Sequence, residues 1–421
     1  MTRPPDVRIE DLGAPVLPDG FAEQIEAVKP LVDALDWSVE GLCKQASEEI
    51  GLSNFGNDDF RERLGVAVNG FLTEANLHAI GLLGRHGILI RWLKNRLLLE
   101  NLYDRHPEID DLAVESPIII AGLPRSGTTH LLNLISADPN IRSLPYWEAL
   151  EPIPDPREQP SPGEPDPRLT RCEAACDATN GMLPLFKRMH EMTVDHTHEE
   201  IHLLAIDFGT MFFENLGVGM LPTWRDYYLG SDQTPHYQYV ARMLRVLQWL
   251  RGGRRWVLKS PQHLEQFDAI LATYPEATVA VTHRDPVSTV ASFATMISYS
   301  TRMSAAKPDP VGLGHYWADR IETMLRRCVE TRDHLPRAQS TDVLFHEYMG
   351  QELETARTIY AQAGLELDDA SLAAIDAYQQ AHPRGRYGRV LYDLADFDLD
   401  ADVLRERFRF YTDRFPVRLE H

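Results

Sequence analysis

The chain is predicted to fold as an α/β protein: a parallel sheet flanked by helices, with a helical region before it and a helical insertion within it. Three observations predict this. A short β-branched run at 117–121 begins at Pro117 and stops at Gly122, which suits a strand buried on both faces. Comparable runs follow at 255–258, 278–282 and 342–345. Helical patterns at 263–274 and 287–296 separate them, and strand–helix alternation is the pattern of a parallel sheet.

Ahead of the first strand, apolar residues from 21 to 103 recur every three or four positions, as at Phe71, Leu72, Leu77, Ile80 and Leu83. That spacing predicts several amphipathic helices. The expected organisation is a helical region, 1–115, packed on a catalytic α/β domain, 116–421. The segment 151–168 carries Pro152, Pro154, Pro156, Pro160, Pro162, Pro165 and Pro167, so it is expected to be an exposed loop. Helical patterning rich in aromatics and histidines returns over 169–250. A last amphipathic helix is expected over 401–415, with Phe408, Phe410 and Tyr411 on its apolar face.

Composition bounds the partners. With 421 residues, 43% of them hydrophobic, the chain can bury a sizeable core. A net charge of −21 argues against nucleic acid, which needs a clustered positive footprint. An anionic ligand must instead enter a pocket where local arginines and lysines overcome the overall field. Cys43, Cys172, Cys176 and Cys328 have neither disulfide-framework nor zinc spacing, which suits a reducing compartment and no metal. The first residues lack an apolar signal segment, and the most apolar stretch, 78–103, is broken by Arg85, Arg91, Lys94 and Arg96. A cytoplasmic protein without a membrane-spanning segment is expected. Oligomeric state is not legible.

The densest chemical signal is Gly122-Leu-Pro-Arg125-Ser126-Gly127-Thr128-Thr129, between the first strand and a helix over 130–137. Such a loop turns successive N–H groups inward, and the helix N-terminus adds about half a positive charge. The Gly-x4-Gly spacing is that of a phosphate-binding P-loop, so the fold expected is P-loop NTPase-like. Thr128 stands where a nucleoside triphosphatase has its lysine. A sulfuryl group carries less charge than a phosphoryl group, so its transfer can rely on fixed Arg and Lys donors; Arg125 is placed to be one. Downstream, Arg284 ends a strand and Ser292 lies about two helical turns on, so both can reach one anion beside the sheet.

The segment Pro124-Arg-Ser-Gly-Thr-Thr129 resembles the 5′-phosphosulfate loop of the sulfotransferases that use 3′-phosphoadenosine 5′-phosphosulfate (PAPS), particularly the tyrosylprotein and bacterial branch. The resemblance implies that Arg125, Ser126, Gly127, Thr128 and Thr129 hold the 5′-phosphosulfate and that Arg284 and Ser292 hold the 3′-phosphate. Lys259, in Val257-Leu-Lys259-Ser-Pro-Gln-His263, matches a lysine that helps the leaving phosphate depart. Pro261 fills the place of the histidine used by the cytosolic small-molecule branch, and His263 lies two residues later. The arginines of Pro383-Arg384-Gly-Arg386-Tyr-Gly-Arg389 resemble a loop that closes over the 3′-phosphate, which brings in Arg386 and Arg389.

By the same resemblance Glu148 is the general base, with Glu151 as fallback. Glu199 or Glu200, in the His-rich stretch 190–202, is an alternative, and His263 is a further candidate in the chemistry. His198 and His202 lie four apart but lack the His-Glu-x-x-His pattern, so polar lining is expected there rather than a metal site. The expected reaction is metal-free, in-line transfer of a sulfuryl group from PAPS to a hydroxyl of a small molecule, lipid or carbohydrate. The competing readings are a P-loop nucleotide kinase and a non-catalytic nucleotide-binding protein.

Overall fold

The structure is a computed structural model that describes residues 3–158, 160–161, 163–215 and 217–420; Pro162 of the proline-rich segment lies outside these. Strand β1 is Val7–Arg8, β2 is Glu115–Gly122, β3 is Arg255–Ser260, β4 is Thr278–His283, β5 is Ser340–Leu344 and β6 is Val390–Leu391. Strands β2 to β5 form a parallel sheet in the order β3-β2-β4-β5, so the strand that carries the glycine loop is interior. The chain steps from β2 to one side, then crosses to the other. That reversal opens a crevice at the carboxyl edge of the sheet.

Period-two alternation sorts the strand side chains between two cores. Ile119, Ala121, Leu258, Val279 and Val281 face the larger core, which also takes Leu89, Leu93 and Leu97 from the N-terminal helices. Ile118, Ile120, Val257 and Ala280 face the other, against Leu131, Ile135 and Ile359. With both faces covered, the strands need continuous apolar runs, as the sequence has.

The N-terminal helices are α1 (Phe21–Asp33), α2 (Val39–Ile50), α3 (Phe60–Thr73) and α4 (Ala79–Arg105). Buried ion pairs tie them to the insertion. Asp207 meets Arg96 at 2.6 Å, Arg63 at 3.2 Å and His236 at 2.6 Å. Nearby, fully buried Arg320 bridges Glu214 and Glu265. Charges removed from water survive only when paired this completely.

Several expected elements take a different form. The pattern at 263–274 divides into a 3-10 turn, Pro261–Glu265, and a helix, Phe267–Thr273, because Gln266 has a non-helical backbone. The expected helix over 401–415 is split into Ala401–Arg407 and Arg409–Thr412 at buried Phe408. Pro167 does not belong to the loop: it opens the helix Pro167–Met182, where its missing N–H costs nothing, and Asp166 accepts the N–H of Arg168 at 2.9 Å. The later part of the insertion carries α-helix over Ile201–Ile206, Pro222–Gly230 and Thr234–Arg251 and a 3-10 turn at Met211–Glu214, with irregular chain around the histidines. Among the described residues no helix is long and apolar enough to cross a membrane.

Candidate active site

Gly122 ends β2 because a Cβ there would stand 1.9 Å from Thr282 Oγ1, so only glycine lets the loop leave beside β4. Ser126 donates from Oγ to the Leu123 carbonyl at 2.6 Å and lies 2.7 Å from Thr282 Oγ1. Gly127 adopts φ +88° and caps α5, Thr128–Ser136, without any side-chain acceptor for the first-turn N–H groups. Those donors are aimed at the crevice. Arg125 also has a positive φ, 68°, a conformation that costs a non-glycine residue about 1 kcal/mol or more and is concentrated at functional sites.

The Arg125 side chain leads toward Arg284 and Ser292. Its Nε donates to Ser292 Oγ at 3.1 Å and its Nη1 to the Met189 carbonyl, while Arg284 Nη1 donates to the Arg125 carbonyl at 2.5 Å. Burial, then the neighbouring Arg284 charge, lowers the Arg125 guanidinium to about 10, so it stays cationic at neutral pH. Arg284 is held by Glu420, with Nε–Oε1 and Nη2–Oε2 both 2.6 Å. Ser288 Oγ lies 3.2 Å from the same carboxylate, and the Glu420 N–H donates to Asp285 at 2.8 Å. A bidentate carboxylate on an arginine has the geometry a phosphate would use. Among the described residues no carboxylate lies within 4 Å of the Arg125 guanidinium.

Lys259 comes from the carboxyl end of β3, where Ile120 of β2 is its register partner. Its Nζ pairs with Glu199 and donates to Thr129 Oγ1 at 3.2 Å, joining the glycine loop to the His-rich stretch. Glu200 points elsewhere: it accepts the Lys259 backbone N–H at 2.8 Å and pairs with His263 Nε2. His263 Nδ1 is 2.7 Å from the Tyr237 hydroxyl, so both ring nitrogens are occupied and the ring is fully buried. His263, expected to take a direct part in the chemistry, thus has its ring engaged by Glu200 and Tyr237.

Glu148 is also placed otherwise than expected. It is 1% exposed, with Arg142 at 2.6 Å and Arg251 at 3.0 Å, and makes no hydrogen bond or ion pair with Lys259 or the loop. Glu151 pairs with Arg171 at 2.6 Å. Glu148 is therefore bound by both Arg142 and Arg251. In the 383–389 loop, expected to close over the 3′-phosphate, Arg389 pairs with Asp6 at 2.8 Å on the exposed surface and Arg386 pairs with Glu191. Arg384 is the arginine of that loop that approaches: its guanidinium lies 5.5 Å from the Phe345 ring centroid, and Arg284 lies 4.3 Å from the same centroid.

The histidines form a neutral wall. His198 and His202 have Nε2 atoms 3.3 Å apart, and the Tyr146 ring lies tilted against both at 4.5 and 5.8 Å between centroids. Burial is the main cause that lowers His196 to about 4 and His202 to about 3. It likewise holds His190 and His198 well below the ordinary imidazole range. Among the described residues no group of three or more His, Cys, Asp or Glu side chains has the geometry to hold a metal ion.

Residues 117–369 match the profile of the family described as Sulfotransferase family, more than half of the chain. The chain belongs to the sulfotransferase family. Sulfotransferase STF1 of Mycobacterium tuberculosis H37Rv is similar to it over 88% of this chain and 97% of that one, at 30% identity with a TM-score of 0.76. Sulfotransferase STF9 of Mycobacterium avium is similar over 92% and 99%, at 25% identity with a TM-score of 0.80. Among curated proteins none matches. The match does not favour the nucleotide-kinase reading. In this sulfotransferase, sequence reasoning did not find Glu420 or Arg384 as neighbours of Arg284. No motif marks Glu420, whereas Arg384 lies within the 383–389 motif that singled out Arg386 and Arg389 instead.

Proposed function

We propose that this sulfotransferase binds PAPS across the carboxyl edge of β2 and β4 and transfers its sulfuryl group to a hydroxyl of a small molecule, lipid or carbohydrate. The observation that carries the reading is the pair of anion cradles at that edge. The first-turn N–H groups at Thr128 and Thr129, with Lys259, face one end. Arg125, Arg284 and Ser292 gather at the other. Their chemistry suits a nucleotide with separate 5′ and 3′ anions: the glycine cradle admits close approach, and Arg125 has no carboxylate counter-charge. Arg125, assigned by the sequence to the phosphosulfate, is better placed for the 3′-phosphate.

PAPS supplies an activated sulfuryl group on a phosphate that can leave with the electron pair of the broken S–O bond. Glu199 takes the acceptor proton as the new S–O bond forms, and Lys259 Nζ, shared between Glu199 and Thr129, stabilises charge on the departing oxygen. Glu200 and His263 hold the backbone of Lys259 in register.

Melting curves test the nucleotide. Adenosine 3′,5′-bisphosphate should raise the melting temperature far more than AMP or ATP, because it fills both cradles. Equal protection by AMP would remove the 3′-phosphate site. Labelled PAPS offered to a panel of hydroxyl compounds tests transfer. Tight bisphosphate binding with no labelled product across the panel would favour a protein that binds the nucleotide without turning it over.

A further inference from the structure

The cradle assigned to the 3′-phosphate is filled by a part of this chain. Arg284 has every guanidinium nitrogen engaged. Along one edge, Nε and Nη2 each meet the Glu420 carboxylate at 2.6 Å. Along the other, Nη1 donates to the Arg125 carbonyl at 2.5 Å and Nη2 to Ser288 Oγ at 3.3 Å. The Ser288 hydroxyl in turn donates to the Glu420 carboxylate at 3.2 Å. A phosphate takes an arginine by two parallel donors along one edge, and no edge is open. Its charge would also stand against that of Glu420. Glu420 and a phosphate on Arg284 therefore exclude one another.

The occupant is held in a way that lets it leave. Arg320 shows the opposite case: it is 0% exposed and its partners Glu214 and Glu265 are equally buried. Glu420 is 31% exposed and arrives on a segment, 416–420, with neither helix nor strand. That segment hangs from Phe415, which is buried and stacks on the His283 ring at 4.0 Å between centroids. His283 ends β4, directly before Arg284. Beyond this anchor Pro416, Arg418 and Leu419 are exposed. The backbone donates to the body of the protein at Arg418, to His346 Nδ1 at 3.4 Å, and at Glu420, to Asp285 at 2.8 Å. Irregular chain with so few bonds opens at low cost, and a part-exposed ion pair adds little to hold it.

We propose that residues 416–420 form a strap that closes the 3′ cradle of the free enzyme, with Glu420 in the place of the phosphate, and that the nucleotide displaces it. The inference rests on reading Arg284 as the 3′-phosphate site. Because Phe415 stays anchored beside Arg284, the displaced carboxylate remains at high local concentration and competes again when the product nucleotide leaves. The strap keeps Arg284 compensated between turnovers and weakens the grip on the product.

Hydrogen exchange read by mass spectrometry tests the displacement on the intact protein. Saturating adenosine 3′,5′-bisphosphate should slow exchange in the peptide carrying 122–130. In the same sample it should speed exchange in the peptide carrying 416–420, by about fivefold or more. AMP, which lacks the 3′-phosphate, should slow the first peptide and leave the second unchanged. A 416–420 peptide that exchanges no faster with the bisphosphate bound overturns the proposal. If the bisphosphate slows neither peptide, the nucleotide reading fails and the strap with it.

The variant Glu420→Gln supplies a second readout, since glutamine keeps the length of the side chain and removes its charge. It should bind the bisphosphate about fivefold more tightly than the wild type and AMP equally well. Its 416–420 peptide should exchange fast in the free enzyme and change little when the nucleotide binds. Unchanged bisphosphate affinity, or an AMP affinity shifted by the same factor, overturns the competition between Glu420 and the phosphate.

Discussion

Two neighbouring segments each bring a glutamate toward the interior, and they use it in opposite ways. The turn at 144–148 and the stretch at 196–199 are joined by backbone hydrogen bonds from Tyr146 to His196 and from His198 to Leu144. Glu148, in the first, is enclosed by Arg142 and Arg251, whose guanidinium groups also lie over the Trp256 and Trp147 rings. Glu199, in the second, has one cation, and that cation also touches the phosphosulfate loop. Glu148 is thus closed in by two arginines, whereas Glu199 sits with Lys259 beside the loop. Position in the chain ranked Glu148 first as the base; the proposed mechanism gives that role to Glu199.

The largest effect should come from Glu199→Gln, which is expected to lower kcat by about 10²–10⁴-fold, the usual contribution of a positioned base, with nucleotide affinity nearly intact. Single-turnover measurement with labelled PAPS reads it directly, and near-normal kcat would return Glu151 and Glu148 to consideration. Glu148→Gln should instead act on the fold. Only the carboxylate is fully buried, with Arg251 44% exposed, so the loss should cost about 1–3 kcal/mol, and denaturant midpoints should fall while the kcat of the remaining folded enzyme changes little. If the variant is stable but inactive, the contrast between the two glutamates is broken.

Arg284→Ala should cost bisphosphate binding about 1.5–3 kcal/mol and leave AMP binding unchanged, because it strikes only the 3′ cradle. Calorimetric titration with both ligands checks this. Glu420→Gln should move affinity the other way, by about 1 kcal/mol or roughly fivefold, since it frees Arg284 from a competing carboxylate. Weaker bisphosphate binding in that variant would show that Glu420 supports Arg284 rather than competing for it.

The smallest effect concerns the neutral wall. His196 and His202 have folded-state pKa values below the unfolded value near 6.5, so the native state binds fewer protons. Their contribution to stability is complete above pH 6.5 and is lost as the pH falls through the range toward 4 and 3. Melting temperature should therefore drop between pH 6.5 and 5, and His196→Gln, His202→Gln should flatten part of that drop. His190 and His198, with His78, His86, His130 and His283, are also lowered by burial and contribute the remaining slope. An unchanged slope in the double variant would mean that the wall is already protonated or solvated.

The α/β architecture and the glycine loop were legible from local pattern alone. Apolar β-branched runs such as Ile118–Ile120 can be satisfied only inside a sheet covered on both faces. Gly122 and Gly127 announce a backbone that must bend where a side chain would collide. Lys259 and Arg284 were legible for a related reason: strand ends deliver their side chains to the crevice, so spacing along the chain already implies a shared edge. The acceptor side was not legible. Which cations Glu148 and Glu199 meet, and whether Arg384 or Arg389 approaches Arg284, depend largely on partners scores to hundreds of residues away. Such pairings follow from how irregular segments settle over the sheet. Only the tertiary structure decides which charges are neutralised in place and which are left for a ligand.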